Sequence, residues 1–219
     1  MLVGLDCETT GSKSNLHSLV QIGIYLPGGE LFFSYVGWNE FNANPESLRV
    51  IGMSEDDIRR GPAASDVDRN LVAWCAARGI AEKSLVPVGW GVSTFDLPFV
   101  AKTFPEFTNQ YLSHRTVELN AICYALADVK SYHDELKDFD FWKRTAKHAA
   151  EIEAAVGMSM PPDWHNAGYD AVTSLLAWNW LHKIVGHPAP SSTRFTTSRS
   201  EQREFVPVID PPAPTLPLQ

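Results

Sequence analysis

Two carboxylates lie close together near the start of the chain, in the stretch LVGLDCETTG. The apolar run before them predicts a buried strand, and the side chains of a strand alternate between its two faces. Asp6 and Glu8 should therefore share one face, with Cys7 on the other. Two like charges in one patch repel and raise the pKa of at least one of them, unless a cation or a proton intervenes. A divalent cation such as Mg²⁺ or Mn²⁺ suits these oxygen ligands; the alternative is a strand that ends in solvent.

Two later acids and a histidine are candidates for the same site. Asp96 follows the apolar run VPVGWG at the start of a predicted helix, and this edge is where α/β sheets gather their ligands. Asp170 lies in the opening turns of the last predicted helix, five residues after His165. On a continuous helix five residues correspond to a rotation of roughly 140°, so these two side chains could not share a face. We therefore expect His165 in the loop before the helix.

The elements that must position these residues indicate an α/β protein. LVGLDCE, LVQIGIYLP and ELFFSYVGW predict a meander of three antiparallel strands. In NPESLRVIGMSEDDI the helical spacing breaks at Gly52 and restarts at Ser54, with Asp57 completing a capping box. The remaining predictions are a helix over residues 66–78, a strand over 85–91, a helix from residue 94, a strand and helix in HRTVELNAICYAL, a helix over 141–157 and a long helix from NAGYDAV onward. This order predicts a mixed sheet with helices on both faces.

Composition restricts the class of protein. The 219 residues suit one domain with a tail, and no apolar run approaches the ~20 residues needed to cross a bilayer, so we expect no membrane partner and a cytoplasmic location. Cys7, Cys75 and Cys123 lie in apolar contexts, which predicts buried, reduced thiols. The net charge of −8 argues against a protein that binds along long duplex nucleic acid. It is compatible with an enzyme that binds only a few terminal nucleotides.

The chain changes character after residue 186. Seven of its 15 prolines fall in the last 33 residues, where no periodicity remains. We predict a folded domain over residues 1–186 and an extended or partly disordered tail over residues 187–219. The alternative for the tail is a docking segment for a protein partner, centred on EFVPVIDPP.

The three motifs LDCETTG, GWGVSTFDLPFV and HNAGYDA together resemble those of the DEDDh, or DnaQ-like, family of 3'-5' exonucleases. The likeness runs from residue 2 to about residue 185, and NPESLRVIGMSEDDI is similar to the family's segment over the terminal nucleotide. It implies the ribonuclease H-like α/β fold, with a mixed five-stranded sheet whose first three strands are antiparallel and helices on both faces. All five residues of the family's site are present: Asp6, Glu8, Asp96, His165 and Asp170.

The resemblance also implies a two-metal mechanism with Mg²⁺ or Mn²⁺ ions about 3.5–4 Å apart at the scissile phosphate. Asp6 would contact both ions, Glu8 and Asp170 the first, and Asp96 the second. His165 would accept the proton of the attacking water, since an imidazole titrates near neutral pH and a loop position lets it close over the substrate. Matching positions predict substrate contacts at Cys7, Thr9, Thr10, Gly11, Glu46, Val50, Ile51 and Phe95, although Phe95 suits a core position equally well.

The sequence therefore predicts a 3'-5' exonuclease that acts on single-stranded nucleic acid 3' ends, most simply DNA, and releases nucleoside 5'-monophosphates. One alternative is an exoribonuclease that trims short RNA, because SHRTVELNAICYAL is faintly similar to the equivalent segment of oligoribonucleases. The other is a binding module of this fold that has lost catalysis, and the presence of all five site residues argues against it.

Overall fold

The structure is a computed structural model that describes residues 1–127 and 165–184. Its five strands are β1 (Leu2–Thr9), β2 (Leu19–Tyr25), β3 (Leu31–Tyr35), β4 (Val86–Gly89) and β5 (Val117–Glu118). The helices in the described ranges are α1 (Pro45–Ile51), α2 (Glu55–Arg60), α3 (Ala64–Ala77), α4 (Asp96–Thr103), α5 (Pro105–Gln110), α6 (Leu119–Ala127) and α7 (Ala167–Ile184). The helix predicted over residues 141–157 and the tail of residues 187–219 lie outside the described residues.

The five strands form one mixed sheet in the order β3-β2-β1-β4-β5. β2 pairs antiparallel with both β1 and β3, whereas β4 pairs in parallel with both β1 and β5. This arrangement confirms the predicted mixed sheet with a meander at its start. β1 is the central strand, so both of its edges are paired with neighbouring strands.

The two faces of β1 contact different helices. Val3, Leu5 and Cys7 belong to a core cluster that also contains Leu71 of α3 and Phe99 of α4. The opposite face packs against α7, and the sheet has glycines rather than larger residues where α7 comes closest. The predicted alternation is therefore confirmed, and the carboxylates of β1 lie on the face that α7 covers.

Close approach of α7 to the sheet depends on Gly4 in β1 and Gly23 in β2. A Cβ atom on Gly4 would collide with the Ala171 carbonyl oxygen, and one on Gly23 would collide with that of Ala167. Gly23 pairs with Asp6 across the two strands. The start of α7 therefore lies against the backbone of β2, directly beside the acidic end of β1.

The segment from residue 44 to residue 60 is built as predicted, from two short helices. The Asn44 side chain caps α1, and Gly52, with a φ of 65°, ends it. Ser54 and Asp57 form the predicted capping box of α2. The Asn44 amide also donates to the Thr10 carbonyl at 2.7 Å, so the segment is attached just beyond the end of β1.

Two further expectations concern the compartment and the membrane. Cys7, Cys75 and Cys123 are free and buried, which confirms the prediction of buried thiols. Among the described residues, no helix has the length and apolar character that a bilayer span requires.

Candidate active site

Four carboxylates from three elements of the fold converge at the end of the sheet where β1 finishes. Asp6 and Glu8 come from the end of β1, Asp96 is the first residue of α4, and Asp170 lies in the first turn of α7. The negative charges of Glu8, Asp96 and Asp170 each raise the pKa of Asp6. The structure therefore brings together the four acids that the sequence predicted, at the carboxyl end of β1.

Asp96 is held in place by the backbone of β1. After β4 the chain turns at Gly91, which has a φ of 72° and whose carbonyl accepts from the amide of Phe95 at 2.9 Å. The Asp96 Oδ1 atom then accepts a hydrogen bond from the Cys7 amide at 2.8 Å. This bond joins the start of α4 to the strand that carries the first two acids.

His165 and Asp170 lie on either side of the start of α7. Asp170 accepts a hydrogen bond from the Asn166 amide at 3.4 Å, and its own amide donates to the Asn166 carbonyl at 2.9 Å. His165 precedes the helix, as predicted, and its side chain is 54% exposed. Its Nδ1 atom lies 3.9 Å from Glu8 Oε1. One ligand atom from each of Glu8, His165 and Asp170 lies within 4.8 Å of the others.

Burial raises the pKa of all four acids, because a desolvated carboxylate resists ionisation. For Asp6 and Glu8, repulsion from the neighbouring acids adds to this effect. Burial, with a smaller contribution from the charge of Glu118, raises the pKa of Asp96 to about 7 despite the hydrogen bonds from Cys7. Burial likewise raises the pKa of Asp170 to about 7, against the hydrogen bond from the Asn166 amide.

The donor set of this cluster fits a divalent cation. It offers carboxylate oxygens with one imidazole nearby, and carboxylates are the ligands that Mg²⁺ and Mn²⁺ prefer. A bound cation would relieve the repulsion that raises the pKa values and would favour the ionised acids. The acids that the sequence predicted as metal ligands are thus compatible with that role.

The residues just after the acidic motif are mostly buried. The Thr9 hydroxyl donates to the Gly11 carbonyl at 2.9 Å, and a Cβ atom on Gly11 would collide with the His17 ring. The Thr10 hydroxyl donates to the Asn42 carbonyl at 2.6 Å, and the Thr10 amide donates to Ser18. Both the amide and the hydroxyl of Thr10, a residue predicted to contact substrate, therefore have partners within the protein.

The other residues predicted to contact substrate fall into two groups. Cys7 and Ile51 are buried in core clusters. Phe95 is partly buried and its ring lies 5.4 Å from that of Phe99. Val50 is half-buried, and its carbonyl accepts from the His165 amide at 3.3 Å. Glu46 is exposed and forms an ion pair with a neighbouring arginine of α1.

Two polar residues of the site were not predicted from the sequence. Gln21 of β2 is 2% exposed, pairs with Glu8 across the strands, and accepts a hydrogen bond from the Ala167 amide at 3.2 Å. Glu118 of β5 accepts a hydrogen bond from the Ser93 amide at 2.6 Å, in the loop that leads to Asp96. A glutamine inside the apolar run LVQIGIY was the one available signal for the first.

The fold is similar to that of Exonuclease I of E. coli. With the structure in complex with a dT13 oligonucleotide, the TM-score is 0.56 at 13% identity, over 84% of this chain and 41% of that chain. With the dA16 complex the TM-score is 0.53 at 15% identity, over 83% and 40% of the two chains. This chain thus spans about two fifths of the length of those it matches.

Comparisons of the sequence found no match to a curated protein or family. No protein-family model matches the chain, and no curated protein matches it at a significant level. At such low identity the structural likeness shows the fold alone. The mixed five-stranded sheet with helices around it is the ribonuclease H-like fold, as the sequence predicted.

Proposed function

We propose that this protein is a metal-dependent 3'-5' exonuclease of the DEDDh family, which acts on single-stranded DNA 3' ends and releases nucleoside 5'-monophosphates. The convergence of four carboxylates from β1, α4 and α7, three of them buried and Asp6 partly buried, carries the proposal. Such a cluster costs stability, and carboxylates with strongly raised pKa values concentrate at functional sites. The dT13 and dA16 complexes of Exonuclease I support single-stranded DNA as the substrate class.

In this proposal the four acids hold two Mg²⁺ or Mn²⁺ ions. Asp6 would contact both ions, Glu8 and Asp170 would hold the first, and Asp96 would hold the second. When bound, the ions supply an activated water and stabilise the charge on the leaving oxygen. The Cys7 amide keeps Asp96 oriented toward β1 through its bond to Oδ1.

His165 is proposed as the general base that accepts the proton of the attacking water. Its imidazole is half exposed, so a proton accepted there can pass to solvent. The Nδ1 atom, 3.9 Å from Glu8, places the ring at the rim of the acidic cluster. The loop position leaves the ring able to adjust when substrate arrives.

The terminal nucleotide is proposed to lie between the end of β1 and α1. The hydrogen bond from the His165 amide to the Val50 carbonyl supports this placement, because it brings α1 to the edge of the acidic cluster. Direct contacts are assigned to Gly11, Glu46, Val50 and Phe95. The predicted residues with buried side chains are assigned to shaping the surface from beneath: Cys7, Thr9, Thr10 and Ile51.

The proposal includes the organisation of the whole chain. Residues 1–186 are taken as the catalytic domain and the proline-rich residues 187–219 as an extended or partly disordered tail, with a docking segment for a protein partner as the alternative. A cytoplasmic location and a role in DNA replication or repair complete it. The tail's role is testable by deleting residues 187–219 and comparing cleavage of free single strands, which the deletion should leave unchanged.

The test of the activity uses DNA and RNA oligonucleotides of one sequence, labelled at the 5' end, with free or blocked 3' ends, and Mg²⁺. We expect a ladder of DNA products that shorten from the 3' end, and none from strands with a blocked 3' end. Asp96→Asn should abolish cleavage, whereas Asp66→Asn, on the exposed surface of α3, should not. Faster loss of RNA than of DNA would favour the RNA-trimming alternative, and no cleavage of either strand would contradict the proposal.

A further inference from the structure

Gln21 is a buried polar side chain at the back of the acidic cluster, and both ends of its amide have partners. It is 2% exposed within a strand whose other side chains are apolar apart from the partly buried Tyr25 at its end. Its Oε1 atom accepts from the Ala167 amide at 3.2 Å, and its Nε2 atom donates to the Met53 Sδ atom at 3.4 Å. A buried amide with partners on two different elements joins those elements through one side chain.

The first of these contacts holds the start of α7. The first amides of a helix have no partner within it, and they require acceptors from elsewhere. Asn166 Oδ1 accepts from the Tyr169 amide at 3.1 Å, and the Ala167 amide goes to Gln21. Ala167 is two residues after His165 and three before Asp170. Gln21 also pairs with Glu8 across the two strands. The bond to Ala167 therefore links the first turn of α7, which carries Asp170, to the part of the sheet that carries Glu8.

The second contact reaches the segment between α1 and α2. Met53 lies there and packs in a cluster with Ile51 and Ile58. Val50, in the last turn of α1, accepts a hydrogen bond from the His165 amide through its carbonyl. The turn that carries His165 is thus attached to α1 directly, and the start of α7 is attached through Gln21 to Met53, two residues after the end of α1.

We propose that Gln21 is a positioning residue for the metal site, and that it acts by holding the first turn of α7 at its distance from Glu8. The inference rests on the proposed function in naming the site as one for divalent cations. Side chains that orient metal ligands without touching the ion typically contribute 10–100-fold to metal affinity or activity. We expect an effect of that size from Gln21, although it contacts neither metal nor substrate.

The test uses Gln21→Met, which keeps the length of the side chain and removes both of its polar atoms. Calorimetric titration should show Mn²⁺ affinity lowered about 10–100-fold in Gln21→Met. The kcat on a short DNA strand should fall by a similar factor, with KM little changed. If Gln21→Met fails to fold, Gln21→Asn, which is one methylene too short to reach, replaces it.

Asp68→Ala is the matched control for a loss of stability alone. Asp68 is 4% exposed, and its oxygens accept from the Glu106 and Phe107 amides at the start of α5, at 3.0 and 2.9 Å. This is the same kind of contact, away from the acidic cluster. Asp68→Ala should lower the melting temperature and leave Mn²⁺ affinity and kcat near wild type.

The failure of this inference and the failure of the proposed function would give different results. If Gln21→Met binds Mn²⁺ and cleaves DNA as Asp68→Ala does, at a comparable loss of melting temperature, Gln21 is only structural and the inference is wrong. If the wild-type protein binds Mn²⁺ but cleaves no strand, the proposed function fails, while the Mn²⁺ affinities of the variants still decide the role of Gln21.

Discussion

Replacing Asp170 with asparagine should make the metal-free protein more stable. Asp170 is 7% exposed, and burial together with repulsion from Asp96 raises its pKa to about 7. The folded protein therefore resists ionisation of this side chain at pH 8. Asparagine has nearly the same shape and keeps an oxygen for the Asn166 amide, so the substitution removes the charge and little else.

The size of this effect follows from the two pKa values of Asp170. The ordinary value is 3.8, the value in the folded protein is about 7, and each pKa unit corresponds to about 1.4 kcal/mol. Since the folded state binds the proton more tightly, stability is lost as the pH rises from about 4 to about 7. Asp170→Asn should therefore raise the free energy of unfolding by up to about 4 kcal/mol at pH 8, and by less than about 2 kcal/mol at pH 5.

Urea denaturation with a metal chelator present, at pH 5 and pH 8, measures the difference. Asp66→Asn is the control, because Asp66 is exposed beside Arg69 and exposed ion pairs contribute about 1 kcal/mol or less. Added Mn²⁺ should reverse the order, since it stabilises the wild type and binds Asp170→Asn weakly. A stability gain that is equal at pH 5 and pH 8 would refute the account of a desolvated carboxylate at this position.

Three other perturbations test separate parts of the site. His165→Ala should lower kcat by about 10²–10⁴ and leave Mn²⁺ affinity nearly unchanged, and an affinity loss as large as that of Asp96→Asn would instead make His165 a metal ligand. Gly23→Ala should lower both melting temperature and Mn²⁺ affinity, because its Cβ collides with the Ala167 carbonyl, whereas Gly28→Ala, in open space, should change neither. Binding of single-stranded DNA by Asp96→Asn, measured with Ca²⁺ between 50 and 200 mM salt, should show a shallow slope equal to about two to four phosphates at about 0.7 each. Affinity that still rises at twenty nucleotides would show an extended track instead.

The acids of the site could be predicted because local geometry restricts where they point. Alternation along a strand separates Asp6 from Cys7, and the structure confirms this, with Cys7 in the core beside α3 and α4. The helical repeat excludes His165 from the face of Asp170, and the structure begins α7 after His165. Both inferences use only neighbouring residues, for which the backbone allows few arrangements.

Helix α5 shows where such local inference ends. It begins at Pro105, directly after α4, and no repeat in its six residues predicts it. The side chain of Asp68 in α3 accepts hydrogen bonds from the amides of Glu106 and Phe107 at the start of α5. A helix this short is stabilised by tertiary contacts rather than by its own propensity. Its position therefore depends on a residue far away in the sequence.

The same reasoning separates the acids of the site from the residues that hold them. A cation site admits few residue types, so Asp6, Glu8, Asp96 and Asp170 stand out in the sequence. Many residue types could accept a hydrogen bond from the Ala167 amide. Gln21 can do so because the pairing of β1 with β2 places it opposite Glu8. The register of that pairing shifts between Glu8 and Thr9, so the side-chain directions of Thr9 and Thr10 do not follow from strict alternation. Contacts beyond Glu8 thus follow from a register shift that the spacing of apolar residues does not reveal.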